Sequence, residues 1–146
     1  MPRLYNGLKI IFWLSVTLTG IPSQAQNPSH LRDSLIQAIS AGAGNENRIT
    51  ALNALAKTYW NSQNDSAIFY ADSALRLSSR LHNLDGEAEA NRIIGVSKWY
   101  QQKKPEEIKP FLETALRLYK TTGITKGIAD AFNNLGSYYN YAGNRP

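Results

Sequence analysis

Ala74-Leu75-Arg76-Leu77 and Ala115-Leu116-Arg117-Leu118 are the same tetrapeptide, 41 positions apart, and what surrounds them repeats as well. Ahead of the first copy, Ala67, Tyr70, Ala71, Ala74 and Leu75 fall at i, i+3, i+4, i+7 and i+8. Ile108, Phe111, Leu112, Ala115 and Leu116 fall at the same offsets ahead of and into the second. That spacing puts each set on one face of a helix. A second pattern alternates with the first. Leu52, Leu55, Ala56 and Tyr59 share their offsets with Phe132, Leu135, Gly136 and Tyr139, 80 positions on, and Ile94-Gly95 lies between them, 39 beyond Leu55-Ala56. The order is helix A, B, A, B, A, with a period near 40.

A small residue follows a large apolar one in each A helix: Ala56 after Leu55, Gly95 after Ile94, Gly136 after Leu135. Small side chains let helix backbones approach where they cross, and their large neighbours fill the space around the crossing. A pair of such helices cannot bury its apolar face alone and must stack on the next pair. The expected architecture is therefore all-α: stacked antiparallel helix pairs.

Punctuation between the helices fits. Asn61–Asp65 is a polar turn, with Asp65 placed to cap a helix starting near Ser66. Lys103-Lys104-Pro105-Glu106-Glu107 is its counterpart, with Pro105 at a first helical position and two acids in the first turn. Gly123 and Gly143 are expected to end helices. Longer connections at Leu81–Gly86 and Gly123–Gly127 would account for the long period. Ahead of the array, Ser29 is the expected N-cap of a helix to Ala41. Its apolar face, Leu31, Leu35, Ile36 and Ile39, would cover the open end of the first pair, with Gly42–Asn45 as linker.

Residues 1–25 read as a secretory signal peptide: Arg3 and Lys9, an apolar run from Ile10 to Ile21, then Pro22 and the small-x-small triplet Ser23-Gln24-Ala25. The run is too short to span a bilayer, which takes about 20 residues. The expected address is export, to the periplasm or the periplasmic face of the inner membrane. Removing this leader takes two of the 16 Lys+Arg, leaving 14 against 11 Asp+Glu, so the formal +5 falls to +3. The remaining cations are scattered rather than gathered on one face, which excludes a nucleic-acid binder. With no Cys there is no disulfide, thiolate ligand or lipidated cysteine. His30 and His82 are the two histidines, and no metalloprotease, nucleophile-elbow or calcium-loop spacing occurs. No catalytic residue, cofactor or metal is expected.

Leu55-Ala56 with Tyr59, Ala67, Ala71 and Ala74, and later Leu135-Gly136 with Tyr139, resemble tetratricopeptide repeats over residues 48–146. Lys98 departs from that pattern where an aromatic is usual, Asn91 where a bulky apolar residue is, and Pro110 falls inside the second B helix, where it would kink the helix or delay its start. The middle repeat is accordingly expected to be the least regular. Asp33-Ser34-Leu35, Leu52-Asn53 and Asp65-Ser66-Ala67, with Tyr70-Ala71 and Ala74-Leu75, further resemble the exported sensor regions of bacterial membrane histidine kinases. The resemblance implies a TPR-like α-solenoid of about two and a half repeats. Its divisions are a signal peptide at 1–25, a covering helix and linker at 26–47, and repeats at 48–82 and 86–122. A first helix alone remains at 127–146.

In that family the A helices line a concave groove for a protein or peptide. The residues flanking the packing stripe here are Asn53, Lys57 and Trp60; Glu89, Arg92, Val96, Trp99 and Tyr100; and Asp130, Asn133, Asn140 and Tyr141. The aromatics either line such a groove or pack at the repeat joints. Two functions compete: an exported interaction module without catalysis, or the periplasmic sensor portion of a larger signalling enzyme, a histidine kinase or cyclase. The second is motivated by the ending at Pro146, where a third B helix would start. Phe132, Leu135 and Tyr139 would otherwise stay exposed, which also allows self-association through that end.

Overall fold

The computed structural model describes residues 28–41 and 44–143, and the expected signal peptide lies outside them. Six helices follow one another: α1 Pro28–Ser40, α2 Asn45–Lys57, α3 Asn64–Leu81, α4 Leu84–Tyr100, α5 Pro105–Thr122 and α6 Thr125–Gly143. Described residues form no strand, so the chain is all-α. Each helix packs on its neighbours in the chain, and short connections make those neighbours antiparallel. In addition α2 touches α4 and α4 touches α6, whereas α1, α3 and α5 make no such contacts with one another. The helices thus form two rows, with α2, α4 and α6 the closely spaced one.

The recurrence in the sequence becomes a recurrence of contacts. Ala67, Ala71 and Ala74 of α3 are fully buried, as are Ile108 and Ala115 of α5. Leu55 and Ala56 are buried in α2, Ile93 and Ile94 in α4, and Leu135 in α6. A Cβ placed on Gly95 would lie 2.6 Å from Leu112 Cδ2, so the absent side chain is what lets α4 and α5 approach.

Several boundaries differ from expectation. The connections between α3 and α4, His82–Asn83, and between α5 and α6, Gly123–Ile124, are only two residues long. The long period therefore comes from long helices: α4 has 17 residues and α5 has 18. Gly86 and Gly127 sit inside first helical turns, not in loops. A Cβ on Gly86 would reach Ser78 Oγ at 2.4 Å, and one on Gly127 would reach the Tyr119 ring at 2.3 Å. Both glycines, and the residues they touch, are 41 apart. Helix α2 begins at Asn45, inside the expected linker, and Ser29 lies in the first turn of α1 rather than at its cap. Asp65 also lies in a first turn: Gln63 is the cap of α3, and Asp65 instead accepts 2.6 Å from Gln101 Nε2 at the far end of α4.

Pro105 opens α5 with Glu106 and Glu107 behind it, and Gly123 closes it at φ 75°, a left-handed conformation suited to glycine. Pro110 does not delay the helix. It stands in the second turn on the exposed side, where the carbonyl it leaves without an amide partner can meet water.

The departures from the family pattern in the middle repeat leave its helices α4 and α5 unbroken. Helix α4 is in contact with α2, α3, α5 and α6, and Ala90 to Ser97 is buried on every side. Asn91 fits because its Nδ2 donates 2.8 Å to Glu87 O one turn back. Lys98 fits by laying its ammonium over the Phe111 ring, 5.4 Å from the centroid. The apolar face of α1 covers less than expected, since Leu31 and Ile36 each remain 42% exposed. Arg32 does much of the docking instead, with Nη2 donating 2.8 Å to Thr58 O and its guanidinium 4.2 Å from the Tyr59 ring centroid.

Candidate functional site

The row α2, α4 and α6, with the turn that follows α2, carries every groove candidate, and the structure sorts them into two groups. Asn53 and Arg92 are 5% and 4% exposed and do not face solvent. Asn53 Nδ2 donates 3.1 Å to Gly86 O, tying α2 to the tight first turn of α4. Arg92 forks onto Glu89, with Nε to Oε2 at 2.9 Å and Nη2 to Oε1 at 2.8 Å, and its guanidinium lies 5.1 Å from the Trp60 ring centroid. Lys57 reaches the same carboxylate at 3.2 Å, and the Tyr119 hydroxyl donates to it from α5. Glu89 thus gathers donors from α2, α4 and α5. Val96 is buried in the core.

The electrostatics follow from that convergence. Burial alone would raise the Glu89 carboxyl. The Arg92 hydrogen bonds and charge, the Tyr119 hydroxyl and Lys57 outweigh it and hold the pKa at about 2. Tyr119 is pushed above its ordinary value by burial and by the Glu89 charge. Arg92, opposed by burial, is held more firmly protonated by Glu89. The Tyr119 ring is fixed in turn by the bare backbone of Gly127. A cleft of about 300 Å³ opens beside this group, between α4 and α6, with Lys57, Asp85 and Asp130 on its walls. Asp130 pairs with Lys126 at 2.7 Å.

Most of the second group sits at the C-terminal ends of α4 and α6 and in the turn after α2. Trp60 and Trp99 are half-buried and pack against one cluster, formed by Val96, Ile108, Leu112, Leu135 and Tyr138. The Trp99 ring stacks on Tyr100 at 5.6 Å between centroids and meets Tyr141 at 6.3 Å. The tryptophans therefore take part in the joints and also keep part of their surface outward. Tyr100 is 50% exposed, and Asn133 and Asn140 are exposed on α6. Trp99, Tyr100 and Tyr141 are brought together, while Asn53, Glu89 and Arg92 are drawn into the interior.

Sequence reasoning passed over Tyr119, because it lies on a B helix and outside the repeating stripe. The signal that could have found it is the recurrence of Gly86 at Gly127, which marks two equivalent close approaches. Among the described residues no group of three His, Asp or Glu side chains is placed to hold a metal ion, and no helix is long and apolar enough to cross a membrane. Compared with known proteins, the sequence matches no family model, no curated protein and no solved structure.

Proposed function

We infer that the chain is an exported interaction module of the tetratricopeptide kind, which holds a protein or peptide on its α2/α4/α6 side and has no catalysis of its own. The observation that carries this reading is the aromatic strip of Trp99, Tyr100 and Tyr141 at the ends of α4 and α6, continued by the half-buried Trp60 in the turn after α2. Rings that are wedged in place lose little entropy on binding, and their outward faces supply apolar area. The two-row packing also supports the reading. Closer spacing in one row bends an array toward that row, so α2, α4 and α6 would lie inside the curve. The leader-like stretch 1–25 supports export and a periplasmic address.

The test is a selection of phage-displayed random peptides on the full chain, followed by binding of the enriched peptides to variants. Tyr100→Ala should weaken binding at least fivefold while leaving the melting temperature within about 2 °C, since its side chain is 50% exposed. Phe69→Ala, on α3 and 64% exposed, should change neither. Peptides that fail to enrich, or that respond to Phe69 and not to Tyr100, would overturn the assignment.

A further inference from the structure

Gly95 and Gly136 stand 41 residues apart at the same place in α4 and α6, yet their surroundings differ. The notch at Gly95 is filled: Leu112 Cδ2 and Phe111 Cβ of α5 would lie 2.6 and 3.3 Å from a Cβ there. The notch at Gly136 has nothing within 4 Å. Around it Phe132 and Tyr139 are 51% and 52% exposed. They flank a groove of about 940 Å³ between α5 and α6 whose floor is Leu116, Leu135 and Gly136. Advancing α3 and α4 by one repeat gives α5 and α6, and the same step applied to α5 puts a helix in this groove.

Charge identifies what kind of helix. Arg117 and Lys120 line the groove. In the preceding repeat Arg76 pairs with Asp72, whereas here Glu113, the counterpart of Asp72, is engaged by Lys109 at 3.6 Å. Lys120 lies over the Phe132 ring, 5.1 Å from the centroid, with no described carboxylate paired to it. A second copy docking its own α6 would bring a single carboxylate, Asp130, which Lys126 already holds.

We propose that the α5/α6 groove is a second docking site, which takes an amphipathic helix from a partner protein. That helix sets a large apolar residue into the Gly136 notch and turns acidic side chains toward Arg117 and Lys120. This is helix-in-groove recognition, read through anchors at i, i+3 or i+4, and i+7. It is separate from the aromatic strip and does not depend on it. By the repeat, the incoming helix runs parallel to α5, so its C-terminal half lies along the two cations.

The probe is a fluorescent peptide with the sequence of α5 itself, residues 105–122, titrated against the full chain by anisotropy. Saturable binding is expected. Gly136→Leu fills the notch and should weaken binding at least tenfold. It should still fold, because the added side chain points into open space and Leu favours a helix. Phe132→Ala provides a second route to the same loss. A peptide carrying Phe111→Ala and Leu112→Ala should not bind, and one carrying Arg117→Glu and Lys120→Glu should bind at least threefold tighter. No binding by the parent peptide, or equal binding to the Gly136→Leu chain, overturns the site. Failure of the acidic peptide to gain affinity overturns the acidic partner. A dimer in sedimentation that Gly136→Leu dissociates assigns the groove to a second copy instead.

Discussion

Glu89→Gln should cost the fold about 3 kcal/mol at neutral pH, and the cost should fade in acid. The carboxylate side chain is 20% exposed and takes Arg92, Lys57 and Tyr119 at once. Its pKa is held at about 2 against an ordinary 4.5. Converted at about 1.4 kcal/mol per pH unit, that difference is on the order of 3 kcal/mol of stability. Removing one partner of a buried pair leads to a similar figure, about 3–5 kcal/mol, because Arg92 would keep its charge with its carboxylate gone. Lys57 adds little, since its side chain is 42% exposed and screened. The sign is set by the depressed value. The contribution is complete above the unfolded pKa, near 4.5, and drains away as pH falls toward 2. Urea unfolding followed by far-ultraviolet circular dichroism at pH 7 and pH 3 reads this directly. The gap between parent and variant should be about 3 kcal/mol at pH 7 and should shrink by about 2 kcal/mol at pH 3. A gap below about 1 kcal/mol at pH 7, or one equal at both pH values, would show that Glu89 is not a joint and would refute the reasoning.

The glycines offer a matched pair: Gly127→Ala forces a methyl into the Tyr119 ring and should cost about 2 kcal/mol, while Gly136→Ala meets nothing and should gain up to about 1 kcal/mol of helix propensity, both measured by urea unfolding. Ser97→Ala removes a buried hydroxyl that has no hydrogen-bond partner among the described residues, and should be neutral or stabilising by up to about 1 kcal/mol in thermal melts. Arg32→Ala severs the tie of α1 to Thr58, so the amides of α1 should exchange about tenfold faster while those of α4 stay unchanged.

What the sequence made legible was periodicity. Each helix buries a face at i, i+3 and i+4, so the five array helices could be placed from Leu55, Ala71, Leu112 and their repeats, and the covering helix from Leu31, Leu35, Ile36 and Ile39. Gly86 and Gly127 were misread as loop residues because glycine has two uses, freeing φ and letting backbones touch, and spacing alone does not separate them. The site was read less well for a related reason. Helical spacing tells which side of a helix is apolar, but it assumes that the opposite side faces water. It fails over a whole stretch of α4, which α2, α3, α5 and α6 all touch, so Arg92 and Asn91 are interior despite their polarity. It breaks at single positions elsewhere, Asn53 of α2, Ser78 of α3 and Tyr119 of α5, which are buried.

That failure bears on function. A surface rich in Arg, Glu, Asn and Lys would suit recognition by charge, and residues 53, 57, 89 and 92 suggest one when read along the sequence. Their polar atoms are instead largely spent on one another: the Arg92 fork on Glu89, the Lys57 ammonium on the same carboxylate, and the Asn53 amide on Gly86 O. A ligand competing for them would have to break bonds the fold already holds, at a cost of about 1–3 kcal/mol for each charged hydrogen bond lost. Tyr100 and the outward faces of Trp99 and Tyr141 need no such exchange, because their contacts with one another survive while a ligand covers them. Recognition on the α2/α4/α6 side is therefore expected to be dominated by apolar contact and only weakly sensitive to salt. Affinity of a selected peptide that falls steeply between low and high salt would mean that Glu89, Arg92 or Lys57 opens to the ligand. The Glu89 joint would then be a switch and not a strut.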